Sequence, residues 1–334
     1  MKKYKTDIFT GMRPTSSMSI GNLIGVVEPT LRTIEDGSLG RPMVFVADLH
    51  SLTTTEPEDS QKNVIPVIKD YITAGLDPEK TDLFVQSQIA DEVSKMTIYF
   101  SRLITVAELL RVPTLKEKIK KGQSEATANS LLAFYPVMMA ADILLQGSKF
   151  VPVGKDQYVH LEVTCDLANR FNKKYGDVFL LPKPLEGGDP ITVLSLIGSG
   201  KKMSKSEPSG AILLDDDIEV SLKKIKKAKT AFAGDMSEDL KSLKLIADYI
   251  SSDEEKVKFE SILQKHLDGQ QVMGDFKNLL VEVLGEFLKD FQKKKASISD
   301  ECVLEAIEKG GKKAKANAQE VLSEVENAMG MRYV

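Results

Sequence analysis

Short runs of consecutive apolar residues alternate with longer amphipathic segments over the first two hundred positions. Residues 7–10, 43–47, 83–86 and 149–153 are short β-rich runs with apolar centres, as in strands buried on both faces, and the stretches between them repeat at helical spacing. This alternation predicts an α/β fold, a doubly wound parallel sheet of Rossmann type. Ligands of such sheets sit beyond the carboxyl ends of the strands, where Gly11, Asp48, His50, Gln86 and Gly154 fall. The longest apolar run, 131–145, includes Pro136 and Asp142 and is too short to span a bilayer, so it predicts a buried helix. From about Asp215 the composition shifts to Lys, Glu, Asp and Leu at helical spacing. The expected organisation is a sheet domain over 1–210, a helical domain over 211–300, and a C-terminal helix over 301–334 that returns to the first domain, with a break at Gly310-Gly311.

The bulk properties narrow the setting. A chain of 334 residues, 42% apolar, can bury a large core. With net charge -4 and a pI near 5.7 it is not coated in positive charge, so contact with nucleic acid requires a local basic patch. One candidate is the run Lys223, Lys224, Lys226, Lys227 and Lys229. Cys165 and Cys302 stand alone, with neither disulfide nor zinc spacing, and no secretion signal is read at the N-terminus; a cytoplasmic, non-membrane protein is expected.

Candidate chemistry gathers at two distant places. Lys202-Met203-Ser204-Lys205-Ser206 follows Gly198-Ser199-Gly200-Lys201. Two lysines three positions apart on a glycine-flanked loop suit a phosphate chain whose charge shifts during reaction. Far upstream, Gly11 and Arg13 precede Ser19-Ile20-Gly21-Asn22, which opens an amphipathic helix. A helix N-terminus offers free N–H groups to phosphate, Gly21 permits close approach, and Asn22 donates without charge. Together the two elements predict attack on the α-phosphate of ATP. Lys202 and Lys205 are the expected catalytic cations, and Gly11, Arg13, Ser19, Gly21, Asn22, Met203 and Ser204 the expected ATP contacts.

With these elements the chain resembles the class I aminoacyl-tRNA synthetases, and most closely their bacterial tryptophanyl branch. Ser19-Ile20-Gly21-Asn22 is similar to a degenerate HIGH signature, and Lys202 to Ser206 matches KMSKS in full. Tyr135-Pro136-Val137-Met138-Met139-Ala140-Ala141-Asp142 and Val151-Pro152-Val153-Gly154-Lys155-Asp156-Gln157, with His160-Leu161-Glu162, extend the match. The resemblance implies ATP with Mg2+ on its phosphates and no dedicated metal cluster, L-tryptophan, a tryptophanyl-adenylate, tRNA(Trp) and a homodimer. It implies that the first domain binds ATP and tryptophan and that the helical domain binds the anticodon.

Helical spacing puts Tyr135, Met139 and Asp142 on one face, and a carboxylate in so apolar a helix needs donors. The resemblance assigns Asp142 to the indole N–H. Val151 and Val153 share a strand face and, with Phe9 and Met139, can wall a flat ring. Gly154 and Asp156 are expected at the nucleotide and ribose, Gln157 at the α-amino group, His50 at the pocket lining, and Lys118 (or Lys116) at the phosphates. Arg13 and Lys155 depart from the branch's usual Gln and acidic residue. A tyrosine-specific enzyme, a non-catalytic RNA-binding descendant and a small-molecule nucleotidylyltransferase remain open at this stage.

Overall fold

The structure is a computed structural model that describes residues 4–14, 18–35 (backbone only for 33–35), 39–112, 129–152, 158–185, 191–198, 200–204 and 207–332. Its centre is a five-stranded, all-parallel sheet in the order β3-β2-β1-β4-β5. The strands are β1 (Thr6–Met12), β2 (Met43–Val46), β3 (Asp82–Val85), β4 (Ser148–Val151) and β5 (Lys183–Pro184). The expected α/β architecture is therefore observed. The four expected strands are present with shifted ends; Gln86, read as the end of a strand, instead opens a 3-10 turn over Gln86–Ile89. Strand β5 has two residues, too few to leave a periodic signal.

The sheet is apolar on both faces because each strand carries large side chains on alternate positions in both directions. On one face Phe9, Phe45 and Phe84 stack, with ring centroids 4.8 and 5.6 Å apart between neighbours. They pack against α5 (Ala90–Ser101), α7 (Ser130–Leu145) and α8 (Tyr158–Tyr175). On the other face Val44, Val46, Leu83 and Val85 meet Ile20, Leu23 and Val27, then α4 (Pro57–Thr73). That second core continues without interruption into the helices α9 (Ile218–Lys227), α10 (Glu238–Ile250), α11 (Asp253–Leu267) and α12 (Met273–Ser297). Among the described residues no helix is long and apolar enough to cross a membrane.

The last helix, α13 (Asp300–Met329), does not break at Gly310-Gly311 as expected; it runs through both glycines. A Cβ on Gly310 would lie 1.9 Å from the backbone oxygen of Leu83, and one on Gly311 2.4 Å from Gln88. The glycines let the helix lie directly on the open edge of β3, with Gln88 Nε2 donating to Ile307 O at 3.3 Å. Val303 and Ile307 join one core and Ala314, Ala318 and Val321 the other, so α13 crosses from face to face at the glycine pair and covers the strand edge. The helix-propensity cost of two glycines, about 1 kcal/mol each, is outweighed by this packing.

Gly310→Ala is expected to overpack the β3 edge and lower Tm by about 3–8 °C. Gly274→Ala, where nothing lies within 4 Å of the added carbon, is expected to leave Tm unchanged or higher. Differential scanning calorimetry of the two variants checks both outcomes.

Candidate functional site

The carboxyl ends of β2 and β3 and the last turn of α7 converge on one buried polar cluster. Asp142, 2% exposed, accepts Gln86 Nε2 at 2.9 Å on Oδ1 and 2.8 Å on Oδ2, and its Oδ2 lies 2.8 Å from His50 Nε2. The His50 backbone N–H donates to Gln86 Oε1 at 3.2 Å and closes the triangle. Asp48 Oδ1 accepts the backbone N–H groups of Leu49 and Ser87 at 2.9 and 3.0 Å, which locks the ends of β2 and β3 together. Burial pushes the Asp142 carboxyl above the usual carboxylate range, against the hydrogen bonds and charge of His50 and the donation from Gln86. Oδ2 carries two partners and Oδ1 one, so Oδ1 has room for one further donor.

Around this cluster, Phe9 is buried in the aromatic stack, Val151 is buried at the end of β4, and Met139 is partly buried against the same core. Tyr135 is also buried, with its hydroxyl 3.2 Å from His160 Nε2 and its ring edge-on to the imidazole. Val153, Gly154, Lys155, Asp156, Gln157, Lys116, Lys118 and Lys205 lie outside the described residues. The sequence places Gln86 only at a strand end; the signal for its role is a polar residue directly after the apolar run Leu83-Phe84-Val85.

The two distant signature segments meet. Ser19 caps the helix that begins at Ile20: its Oγ accepts Asn22 N–H at 3.2 Å and donates to Asn22 Oδ1 at 2.7 Å. The Asn22 carboxamide NH2 is left as the donor available to a ligand, whereas Ser19 is fully buried and shapes the turn. Ile20 N donates to Ile212 O at 2.9 Å and Leu214 N to Met18 O at 2.8 Å, a short antiparallel bridge from the helix start to the strand-like segment after the lysine loop. The loop itself begins as a hairpin, not as a free tether: Met203 N donates to Val193 O and Ser195 N to Lys201 O, with Gly198 and Gly200 in left-handed turns.

Three positions expected at the nucleotide face protein. Met203 is 3% exposed, and a Cβ on Gly21 would lie 3.1 Å from the Met203 Cβ, so the close approach that Gly21 permits is that of Met203. A Cβ on Gly11 would meet the Phe45 ring at 2.6 Å. Lys202 and Ser204 are exposed beside this packed hinge, and Arg13, on the surface, donates to Thr54 Oγ1 at 2.9 Å. The arrangement offers a neutral donor at Asn22, an exposed lysine at Lys202 and a buried carboxyl acceptor at Asp142.

The sequence profile of the tRNA synthetases class I (W and Y) matches residues 1–289. Tryptophan–tRNA ligases of Caldanaerobacter subterraneus subsp. tengcongensis and Bacillus subtilis are each 34% identical, covering 97% and 98% of this chain and 98% of their own lengths. The tryptophanyl-tRNA synthetase of Mycoplasma pneumoniae superposes with a TM-score of 0.82 at 30% identity, over 98% of both chains. That of Campylobacter jejuni, complexed with ADP and tryptophan, gives 0.82 at 26% identity over 97% of this chain and 100% of its own.

The raised Asp142 carboxyl has a thermodynamic sign. A carboxyl whose folded pKa exceeds its unfolded value contributes stability that is fully present below the unfolded pKa and is lost as pH rises through the folded pKa. The buried carboxyl therefore contributes less to stability as pH rises. Asp142→Asn, neutral throughout and still an acceptor for Gln86, is expected to raise Tm by about 2–4 °C at pH 7 and by less at pH 4. Thermal melts at the two pH values check this.

Proposed function

The chain belongs to the class I tRNA synthetases of the tryptophan and tyrosine group, and from that membership we propose that it joins L-tryptophan to tRNA(Trp). The tryptophan carboxylate attacks the α-phosphorus of ATP, supplied as its Mg2+ complex. Pyrophosphate leaves, and the tryptophanyl-adenylate then acylates the terminal ribose of the tRNA with release of AMP. The observation that carries the reading is the buried Gln86–Asp142–His50 triangle, with its acceptor oxygen, at the carboxyl ends of the strands. An indole N–H is the ligand donor for Asp142 Oδ1. Phenylalanine would leave that oxygen short of a partner, a mismatch of about 1–3 kcal/mol. The names of the relatives and the tryptophan in the Campylobacter structure support tryptophan over tyrosine.

In this reading Phe9, Met139, Val151 and Val153 wall the ring, His50 and Tyr135 line its surroundings, and Gln157 takes the α-amino group. Arg13, Asn22, Gly154, Asp156 and Ser204 serve the nucleotide; Gly11, Ser19, Gly21 and Met203 serve it through the local geometry they fix. Lys202, Lys205 and Lys118 stabilise the charge that moves onto pyrophosphate. The helical region over 211–300 binds tRNA, its anticodon end included. The enzyme works in the cytoplasm as a homodimer. Support for the dimer comes from the outer faces of three neighbouring helices: Ile98 and Val106 are 68% and 66% exposed on α5 and α6 (Val106–Leu109), and Phe134 is exposed on α7.

Amino-acid-dependent ATP–pyrophosphate exchange with all twenty amino acids is expected to respond to tryptophan alone. Asp142→Ala should slow exchange and narrow the preference for tryptophan over phenylalanine. Lys202→Ala should lower the exchange kcat by about 10²–10³ with little change in the tryptophan Kd. Exchange driven by tyrosine, or by no amino acid, would overturn the assignment.

A further inference from the structure

Phe232 is 91% exposed, the most exposed large apolar side chain among the described residues. It is not on a loose strand of chain. Asp235 N donates to Phe232 O at 2.9 Å to close a turn over 232–235, with Gly234 in the left-handed region. Gly234 N donates to His266 O at 2.8 Å, and the buried His266 ring has Nε2 2.7 Å from Asp235 O. Ser237 Oγ donates to Thr230 O at 3.3 Å and caps α10 through Leu240 N–H. A turn fixed from three sides thus holds a phenyl ring in water, where the ring contributes nothing to the core.

The surroundings identify what suits that ring. Between 223 and 235 there are five lysines and one carboxylate, Asp235. Lys224 is occupied at the fold, donating to Ala211 O at 2.8 Å and Asp216 at 3.0 Å. Lys223, Lys226, Lys227 and Lys229 are exposed, and none of them is ion-paired among the described residues. The helix dipole accounts for lysines in the last turn of α9, but not for an exposed aromatic five residues beyond it. An exposed ring following closely in sequence on lysines that form no ion pair among the described residues matches unpaired nucleotides, whose bases stack and whose phosphates attract cations; every base presents a π-face.

We propose that the Phe232 turn is a docking point for tRNA, in which the Phe232 ring stacks on an unpaired base while Lys226, Lys227 and Lys229 contact the adjoining phosphates. This rests on the synthetase reading and assigns a tRNA contact within it. The turn is also joined to the lysine loop, since Lys229 N donates to Leu196 O at 3.3 Å and the Lys229 alkyl chain covers Gly198.

The test is filter binding of a tRNA(Trp) transcript to the full chain, with pyrophosphate exchange and sedimentation measured in parallel. Phe232→Ala should raise the tRNA Kd about tenfold, Phe232→Leu nearly as much, and Phe232→Trp little. The double variant Lys226→Ala and Lys227→Ala should also weaken binding and flatten its salt dependence. Exchange should be unchanged in Phe232→Ala. An unchanged Kd in Phe232→Ala overturns the proposal. So does full rescue by leucine, which points to a plain apolar contact, or a changed sedimentation coefficient without RNA, which assigns the surface to a second copy of the chain. Loss of exchange in the unaltered enzyme would instead refute the proposed function.

Discussion

The site depends on one packing contact, the seat of Met203 on Gly21. The two residues are 182 positions apart, and the absence of a side chain at 21 brings the start of the first helix within van der Waals range of the lysine loop. The backbone pairs on either side, Ile20 with Ile212 and Met18 with Leu214, fix the approach in register. A loop of cations is useful for phosphate transfer only if it returns to the same place after each excursion. Here the sulfur side chain is the buried anchor and Lys202 the exposed arm beside it. Because the anchor is apolar and the arm charged, the arm can move while the anchor stays in the core.

The second constraint is the cost of Asp142. A carboxylate almost wholly removed from water is unfavourable even with two partners, and an apolar residue would pack in that helix at lower cost. Retaining the acid makes sense where its free lone pair has a ligand to meet. Gln86 and His50 hold the carboxylate in one orientation, and Asp48 fixes the strand ends that carry them. The pocket is therefore rigid at its polar end, which is the condition under which a missing hydrogen bond discriminates between similar rings.

Much of this was legible in the sequence, and the misses have common causes. Short β-rich runs with apolar centres announce the sheet, and the carboxyl-end rule brings Asp48, His50 and Gln86 to one edge. What spacing cannot disclose is which partner a small residue makes room for: Gly21 is expected to open the backbone to a nucleotide, and it admits Met203. The same ambiguity applies to Gly310-Gly311. A glycine pair within a helical pattern signals a break on propensity alone, but here the tertiary packing of α13 on the β3 edge decides. Strand β5 left no signal because two residues have no period.

The helical region is tied to this machinery by charge as well as by its shared core. Lys295, near the end of α12, lies 2.5 Å from the buried Asp70 of α4 and 2.7 Å from Asp215, and Asp70 also accepts the Met18 backbone N–H at 3.3 Å. Burial alone would lower the Lys295 ammonium, but hydrogen bonds from it to Asp215 and Asp70 raise it overall, so it remains charged between its partners. Gln292, one turn earlier, donates to the carbonyls of Leu214 and Asp216. One end of a single helix thus holds the segment before the first signature, the segment after the second, and the helix between the strands. Apolar residues would give such an interface comparable stability, so the distinct property of the ionic arrangement is its directionality. Lys295 thus links α12 to Asp215 and Asp70, whose neighbours Leu214 and Met18 pair beside the Met203 seat.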